Sequence, residues 1–413
     1  MGSGGTGLGP GEVSTDQLVH HNFKGTWKKG YVDYDSHATG SSTAAIGSAS
    51  DDGIRGSNNA RMVSDASAVE ISVSATAGIS SGAGDGTGDW CVSQSCCSKK
   101  DTAVLATAVV PAEGQNRTGV TAFTLAGPSK GEQAGGMQAV WVRFLEKVPR
   151  NVYHAPRVSA AALCHSNGGD GAVSDAAVGA IYKAGRGAVH DNPSGRFKHK
   201  SIHFDGPPMI SQERKGSEKE DQSGAPLVYI TAHVDQTVAS SSSSGPAAFA
   251  VSVRNSLTTK FEVNAVRLDH KASGWQQELY VDYLVLPRPM LAAGGSSTKV
   301  GDSGVLKTAA GRIAARYGSV LIGAQSTSTT IWVHFQEAFQ QTDTASDIPT
   351  VVLTAQATSI EADQGRDEVF TVVLGPNATS AEGFAATIAR TDESAKSSWS
   401  QPVQLNWLAF APG

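Results

Sequence analysis

Apolar residues in the C-terminal part of this chain recur at every second position, not at every third or fourth. The stretches TIWVHF (330–335), TVVLTAQA (350–357), EVFTVVL (368–374), FAATIAR (384–390) and VQLNWLAF (403–410) are short and rich in Val, Ile, Thr and aromatic residues. Turn residues separate them, which is strand periodicity. Five or six such strands in about 110 residues predict an antiparallel β-sandwich, with Trp332, Phe335, Phe370, Phe384 and Trp407 pointing inward. Helical periodicity is nearly absent; a short helix is expected only around 176–183.

The same pattern occurs a second time upstream. DTAVLATA from Asp101 matches DSGVLKTA from Asp302, and AVWVRFLEK (139–147) matches TIWVHFQEA (330–338). APLVYITAHVDQTVA (225–239) matches IPTVVLTAQATSIEA (348–362), and Phe249 matches Phe370. FEVNAVRLDHKASGWQQELYVDYLVLP (261–287) lies against FAATIARTDESAKSSWSQPVQLNWLAFAP (384–412). The shared frame is Phe261, Arg267, Asp269, Trp275, Tyr283 and Leu284 against Phe384, Arg390, Asp392, Trp399, Trp407 and Leu408. Blocks in a constant order read as a tandem duplication. The chain is therefore expected to be all-β, with two tandem antiparallel β-sandwich domains at 101–290 and 300–413. Residues 1–100 form a Gly/Ser-rich N-terminal extension, partly strand, with AVEISVSA (68–75) alternating and FKGTWKKGYVDY (23–34) aromatic enough to be anchored. An insertion at about 150–225 in the first domain reads as surface loop, because of its glycines and the charged run QERKGSEKEDQ.

Composition adds little chemistry. The 413 residues include 46 Gly, with 39% hydrophobic and 17% charged, so the chain is globular but low in charge. Lys+Arg 33 against Asp+Glu 38 leaves a formal charge of −5, which gives no global footprint for nucleic acid. No apolar run approaches the ~18 residues of a membrane span. MGSGGTGLGPGEV has neither a basic nor an apolar leader segment, so no secretory signal is expected there. Cys91, Cys96, Cys97 and Cys164 read as free thiols or a disulfide, without the CxxC pairs of a zinc site. The sequons at Asn116 and Asn377 matter only in a secretory lumen.

Catalytic motifs do not hold together. ITAHVD (230–235) and GDSG (301–304) carry the His and Ser of a protease triad, but TAH is TAQ in the second repeat and DSGVL is DTAVL in the first. His190, His199 and His203 with Asp205 lack metal-ligand spacing, and no metal or cofactor is expected. The Gly-rich N-terminus has no strand before it and no helix after it, as a phosphate loop would need. The cluster Lys183, Arg186, Arg196, Lys198 and Lys200 reads as a charged loop or as a contact for an acidic partner. Both repeats share Arg-x-Asp followed by Trp. Residues two apart share a strand face, so Arg267, Asp269 and Trp275, with Arg390, Asp392 and Trp399, read as an ion pair under a Trp or as an interface anchor.

The second repeat resembles the H-type lectin domain of snail agglutinins and of the discoidin C-terminal half. The resemblance rests on GRI (311–313), a strand ending in Phe, a PxVxL segment, a Val-rich strand, a Phe after a turn and the closing Trp407-Leu408-Ala409-Phe410. The first repeat matches with Tyr283-Leu284-Val285-Leu286. The resemblance implies a six-stranded sandwich and a galactose-type site built on a Trp-His pair, an Arg and a flanking aromatic. The pair positions hold Leu268-Asp269 and Thr391-Asp392 instead. In the first repeat Arg254, Asp269, His270 and Trp275 would be the sugar-binding residues; the second lacks the strand Arg, with Leu374 and Gly375 there. The tandem layout in an Ala/Ser/Gly-rich chain is also similar in architecture to the pyrenoid-shell proteins of diatoms and related algae. That resemblance implies a protein sheet in a plastid stroma.

These readings lead to a non-enzymatic structural protein whose partners are copies of itself. The alternative is a carbohydrate-binding module using the first repeat, its partner a glycan, exported by a route without a visible signal peptide.

Overall fold

The computed structural model describes residues 12–14, 28–33, 61–62, 68–73, 102–109, 120–126, 138–144, 157–164, 183–204, 225–235, 249–268, 275, 278–289, 303–307, 313–323, 328–339, 348–357, 368–391, 399 and 401–411. They are all-β, as expected. The strands are β1 (Glu12–Ser14), β2 (Lys28–Asp33), β3 (Arg61–Met62), β4 (Ala68–Val73), β5 (Thr102–Val109), β6 (Val120–Ala126), β7 (Gln138–Phe144), β8 (Arg157–Cys164), β9 (Lys183–Ala188) and β10 (Phe197–His203). There follow β11 (Leu227–Asp235), β12 (Phe249–Ser256), β13 (Lys260–Arg267), β14 (Leu279–Leu286), β15 (Ser303–Lys307), β16 (Ile313–Ile322), β17 (Ser328–His334), β18 (Thr350–Ala357), β19 (Phe370–Ser380), β20 (Gly383–Arg390) and β21 (Val403–Phe410).

Six strands from 183–286 make two antiparallel triplets, β9-β14-β11 and β10-β13-β12. Six strands from 313–410 pair in the same way, as β16-β21-β18 and β17-β20-β19. The registers correspond outside the irregularities at Val253–Asn255 in one set and Leu374–Thr379 in the other. Ile230 faces Tyr283 where Leu353 faces Trp407, and Phe249 faces Arg267 where Phe370 faces Arg390. Trp275 meets Phe249 edge-on at 5.3 Å and 80°, and Trp399 meets Phe370 at 5.4 Å and 81°.

A third set with this topology lies upstream, which the sequence pattern did not indicate. Its triplets are β2-β8-β5 and β4-β7-β6, all antiparallel. Gly30 faces Ala160, Gly185 faces Tyr283 and Gly318 faces Trp407, so a glycine stands at one register position in each set. At Gly185 the reason is close approach: a Cβ would stand 2.7 Å from the Tyr283 hydroxyl.

The three sets interlock cyclically. Parallel pairs join β6 to β11, β12 to β18 and β19 to β5. Each of the three sheets is thus half from one set and half from the next, with β1 and β15 added beside β16 and β3 beside β4. Two large cores lie mostly within one set each, while Val109 of β5 joins the core of the last set and Ala250, Val266 and Val369 form a small cluster between sets. One large core gathers Ile202, Phe261, Trp275 and Tyr283, and the other Val333, Phe384, Trp399 and Trp407.

Several expectations are corrected. Strands β8, β9 and β10 lie within the stretch 150–225 expected as loop. Lys183, at the end of the expected helix, lies in β9, and residues 176–182 lie outside the described residues. The counterpart of TIWVHF is β10 with Phe204, not the stretch 139–147: Phe204 N donates to the Thr259 carbonyl as Phe335 N does to that of Glu382. The segment from Asp101 is a central strand, whereas that from Asp302 forms β15, outside β16. Trp332 was expected inward and is 45% exposed. Strand parity decides this, because Val333 and Phe335 take the core face and leave Trp332 outside.

Candidate functional site

Where the three sets meet, one threonine from each reaches a neighbouring strand. The Ala106 amide donates to Thr231 Oγ1 at 2.8 Å, the Ile230 amide to Thr354 Oγ1 at 2.9 Å, and the Leu353 amide to Thr107 Oγ1 at 2.9 Å. The pattern is cyclic, and each acceptor follows directly on a donor residue in its own strand. These threonines, with Ile230, Leu353 and Phe370, line a cavity of about 40 Å³. It has room for a few waters, whereas ligand pockets run to roughly 300 Å³ and more.

Beside the β6–β11 junction is a buried charged cluster. Arg186 Nε donates to Asp282 Oδ1 at 2.6 Å, and His233 Nδ1 stands 3.2 Å from Asp282 Oδ2. Burial alone would raise the Asp282 carboxyl, but His233 and Arg186 outweigh it and hold the group well below the usual carboxylate range. The corresponding positions of the last set, Gln356 and Asn406, join by a 2.9 Å amide hydrogen bond. His233 is 1% exposed and Asp282 fully buried, so substrate has no access to the histidine of the ITAHVD segment. The Ser303 side chain lies outside the described set.

Burial lifts the Tyr229 phenol well above its usual value, and Tyr317 beside it adds to this. Tyr229 donates to the Trp407 carbonyl at 3.0 Å, tying two sets together. Among the described residues no group of His, Cys, Asp and Glu could hold a metal ion.

The residues singled out in the sequence separate. Trp275 and Trp399 are 1% exposed, and their Nε1 atoms donate to the His190 and Gly323 carbonyls, each at 3.1 Å. They fill the core and offer no face to a partner or a sugar. Arg390 pairs with Glu368 at 2.9 Å, and the Arg267 carbonyl accepts from Arg196 at 3.0 Å. Arg254 is half-buried in β12, where the register with β13 shifts. Asp269, His270 and Asp392 lie outside the described residues. Of the basic cluster, Lys183 is buried and Arg186 is spent on Asp282, while Lys198 and Lys200 sit on β10.

The exposed aromatic group is elsewhere. Trp332 Nε1 donates to His334 Nδ1 at 3.2 Å, with the rings edge-on at 5.9 Å. Thr330 and Thr387 share a 2.8 Å hydrogen bond on the same face. No sequence signal separated Trp332 from the core tryptophans, since all lie in β-rich segments. Among the described residues no helix is long and apolar enough to cross a membrane. Comparison with protein-family models, with curated proteins and with solved structures finds no match.

Proposed function

We propose that the chain is a non-enzymatic structural protein that assembles with copies of itself, its building block the interlocked body of three sandwiches. We also infer that the sets arose by duplication of one six-stranded unit. The observation that carries the assembly reading is the sheet ends. Among the described residues β10, β17, β9 and β2 close their sheets with one neighbour each, leaving strand edges able to pair. The interior agrees with this reading: threonine, Tyr229 and Asn406 side chains bond between sets, and the cavity at the threonines is smaller than a ligand pocket.

The test is negative-stain electron microscopy with light scattering across concentration and salt. Sheets, tubes or filaments growing with concentration are expected. Single chains under every condition would overturn the proposal.

Carbohydrate binding is a second reading, and Trp332 is the observation in its favour. It is a partly exposed indole held in place by His334, beside threonine hydroxyls, and so combines an apolar ring with polar groups. Quenching of tryptophan emission by a galactose-type sugar, lost in Trp332→Ala, would support it.

A further inference from the structure

Strands β4, β10 and β17 hold the same outer place in their three sets. In the first set this place is already extended, because β3 pairs antiparallel with β4 and sets Arg61 opposite Glu70. In the other two sets, among the described residues, the edge is open.

The two open edges carry opposite charge. Strand β10 reads FKHKSIH and follows Arg196; Lys198 and Lys200 are half-buried, and His199 and His203 are exposed. The strand contains no carboxylate. Among the described residues two acids flank it: Glu262 on β13, 3.6 Å from His199, and exposed Asp191, whose carbonyl accepts from Lys198 at 2.5 Å. Three cations, Arg196, Lys198 and Lys200, outnumber them. Strand β17 contains no Lys or Arg and runs through exposed Gln336 into Glu337. Glu337 receives Arg316 at 3.1 Å, yet its side chain is 77% exposed and its carboxylate faces solvent beyond that pair. Exposed Glu382 adjoins it, the Glu382 carbonyl accepting the Phe335 amide at 2.8 Å. Two carboxylates against one largely buried guanidinium leave this end acidic.

We propose, resting on the self-assembly reading, that β17 of one copy pairs antiparallel with β10 of the next. Antiparallel pairing sets the acidic C-terminal end of β17 against the basic N-terminal end of β10. The contact brings Trp332 under the neighbour and repeats what β3 does for β4. Two β17 strands offer each other no Lys or Arg, and two β10 strands no carboxylate, so unlike edges are selected. A contact between unlike surfaces is heterologous, so copies add head to tail, into a ring where the rotation closes and a filament where it does not. Salt weakens it by screening.

The test uses the full chain with charges reversed on one edge at a time. Lys198→Glu with Lys200→Glu makes β10 acidic. Gln336→Lys with Glu382→Lys makes the β17 end basic and leaves the Arg316–Glu337 pair in place. Circular dichroism checks that each remains folded, and light scattering reads assembly. Each variant alone is expected to need at least about tenfold higher concentration to assemble than the parent chain. An equimolar mixture is expected to recover, because every reversed edge then finds its opposite. Parent-like assembly by either variant, or a mixture no better than its components, would overturn the edge pairing and leave the assembly reading standing. A parent chain that never assembles would remove both. If reversal unfolds the chain, Lys198→Gln with Lys200→Gln and the single change Glu382→Gln replace it, and unchanged assembly by both would overturn the proposal.

Discussion

Thr107 Oγ1 accepts the amide of Leu353 at 2.9 Å, although 246 positions separate the two residues. Thr231 and Thr354 make the equivalent bonds to Ala106 and Ile230. All three threonines are buried, so removing a hydroxyl leaves its amide without a protein acceptor. Thr231→Val keeps the shape and deletes the acceptor. It is expected to cost about 1–3 kcal/mol, the penalty of a buried unpaired donor. Thr231→Ser is expected to keep most of the stability. Urea midpoints of the two variants check this, and a Val variant as stable as the parent would show that the ring contributes nothing.

Asp282 gives the fold an acid dependence. Its folded-state carboxyl is held below the unfolded value near 4, so its contribution is present above about pH 4. That contribution is lost as pH falls through the depressed folded value. Asp282→Asn removes this part of the dependence and leaves the half-buried Arg186 without its carboxylate, at about 3 kcal/mol. Unfolding midpoints from pH 7 to pH 2 should therefore differ most at pH 7 and converge on acidification. A constant gap would exclude Asp282 as the acid-sensitive group.

The strand character of 330–410 was legible because its strands alternate cleanly and carry aromatic residues. The repeat frame was legible for the same reason, since Phe, Trp and Leu hold matching core places at 261–287 and 384–412. The outer strands were not. Strand β9, KAGRGA, has no apolar alternation, and β10, FKHKSIH, carries charges typical of an edge. Their lengths and turns therefore read as loop, and 139–147 took the place of β10 in the repeat comparison. The first set was missed because β5 and β8 are largely Ala, Val and Thr, with no aromatic landmark to align. The threonine ring was invisible because Thr is an ordinary strand residue. Placing Trp332 outside required the parity of a single strand, which an exposed edge leaves weakly specified in sequence.

The tryptophans should divide by burial. Trp399→Ala removes a fully buried side chain that meets Phe370 edge-on and is expected to cost about 3–5 kcal/mol. Trp275→Ala should fall in the same range, whereas Trp332→Ala should stay within about 0.5 kcal/mol for the separate chain. Denaturation under conditions that prevent assembly checks the contrast. Equal costs would mean that Trp332 has a buried role.

Gly383 is the position where backbone proximity, not turn chemistry, demands a glycine. A Cβ there would stand 2.2 Å from the Val333 carbonyl oxygen and 3.1 Å from Trp332 Nε1. The first contact is to backbone, so it cannot be relieved by a rotamer change; β17 must move away from β20. Gly383→Ala is expected to cost about 1–3 kcal/mol and to shift the Trp332 emission, because the indole lies over this residue. Gly323 is the control. A Cβ there meets nothing within 4 Å, and its carbonyl still accepts from Trp399 after substitution. Gly323→Ala is therefore expected to be neutral or to stabilise by up to about 1 kcal/mol, through the lower entropy of the unfolded chain. Urea unfolding followed by tryptophan emission reads both variants, and a Gly383→Ala chain as stable as Gly323→Ala would contradict the close packing of β17 on β20.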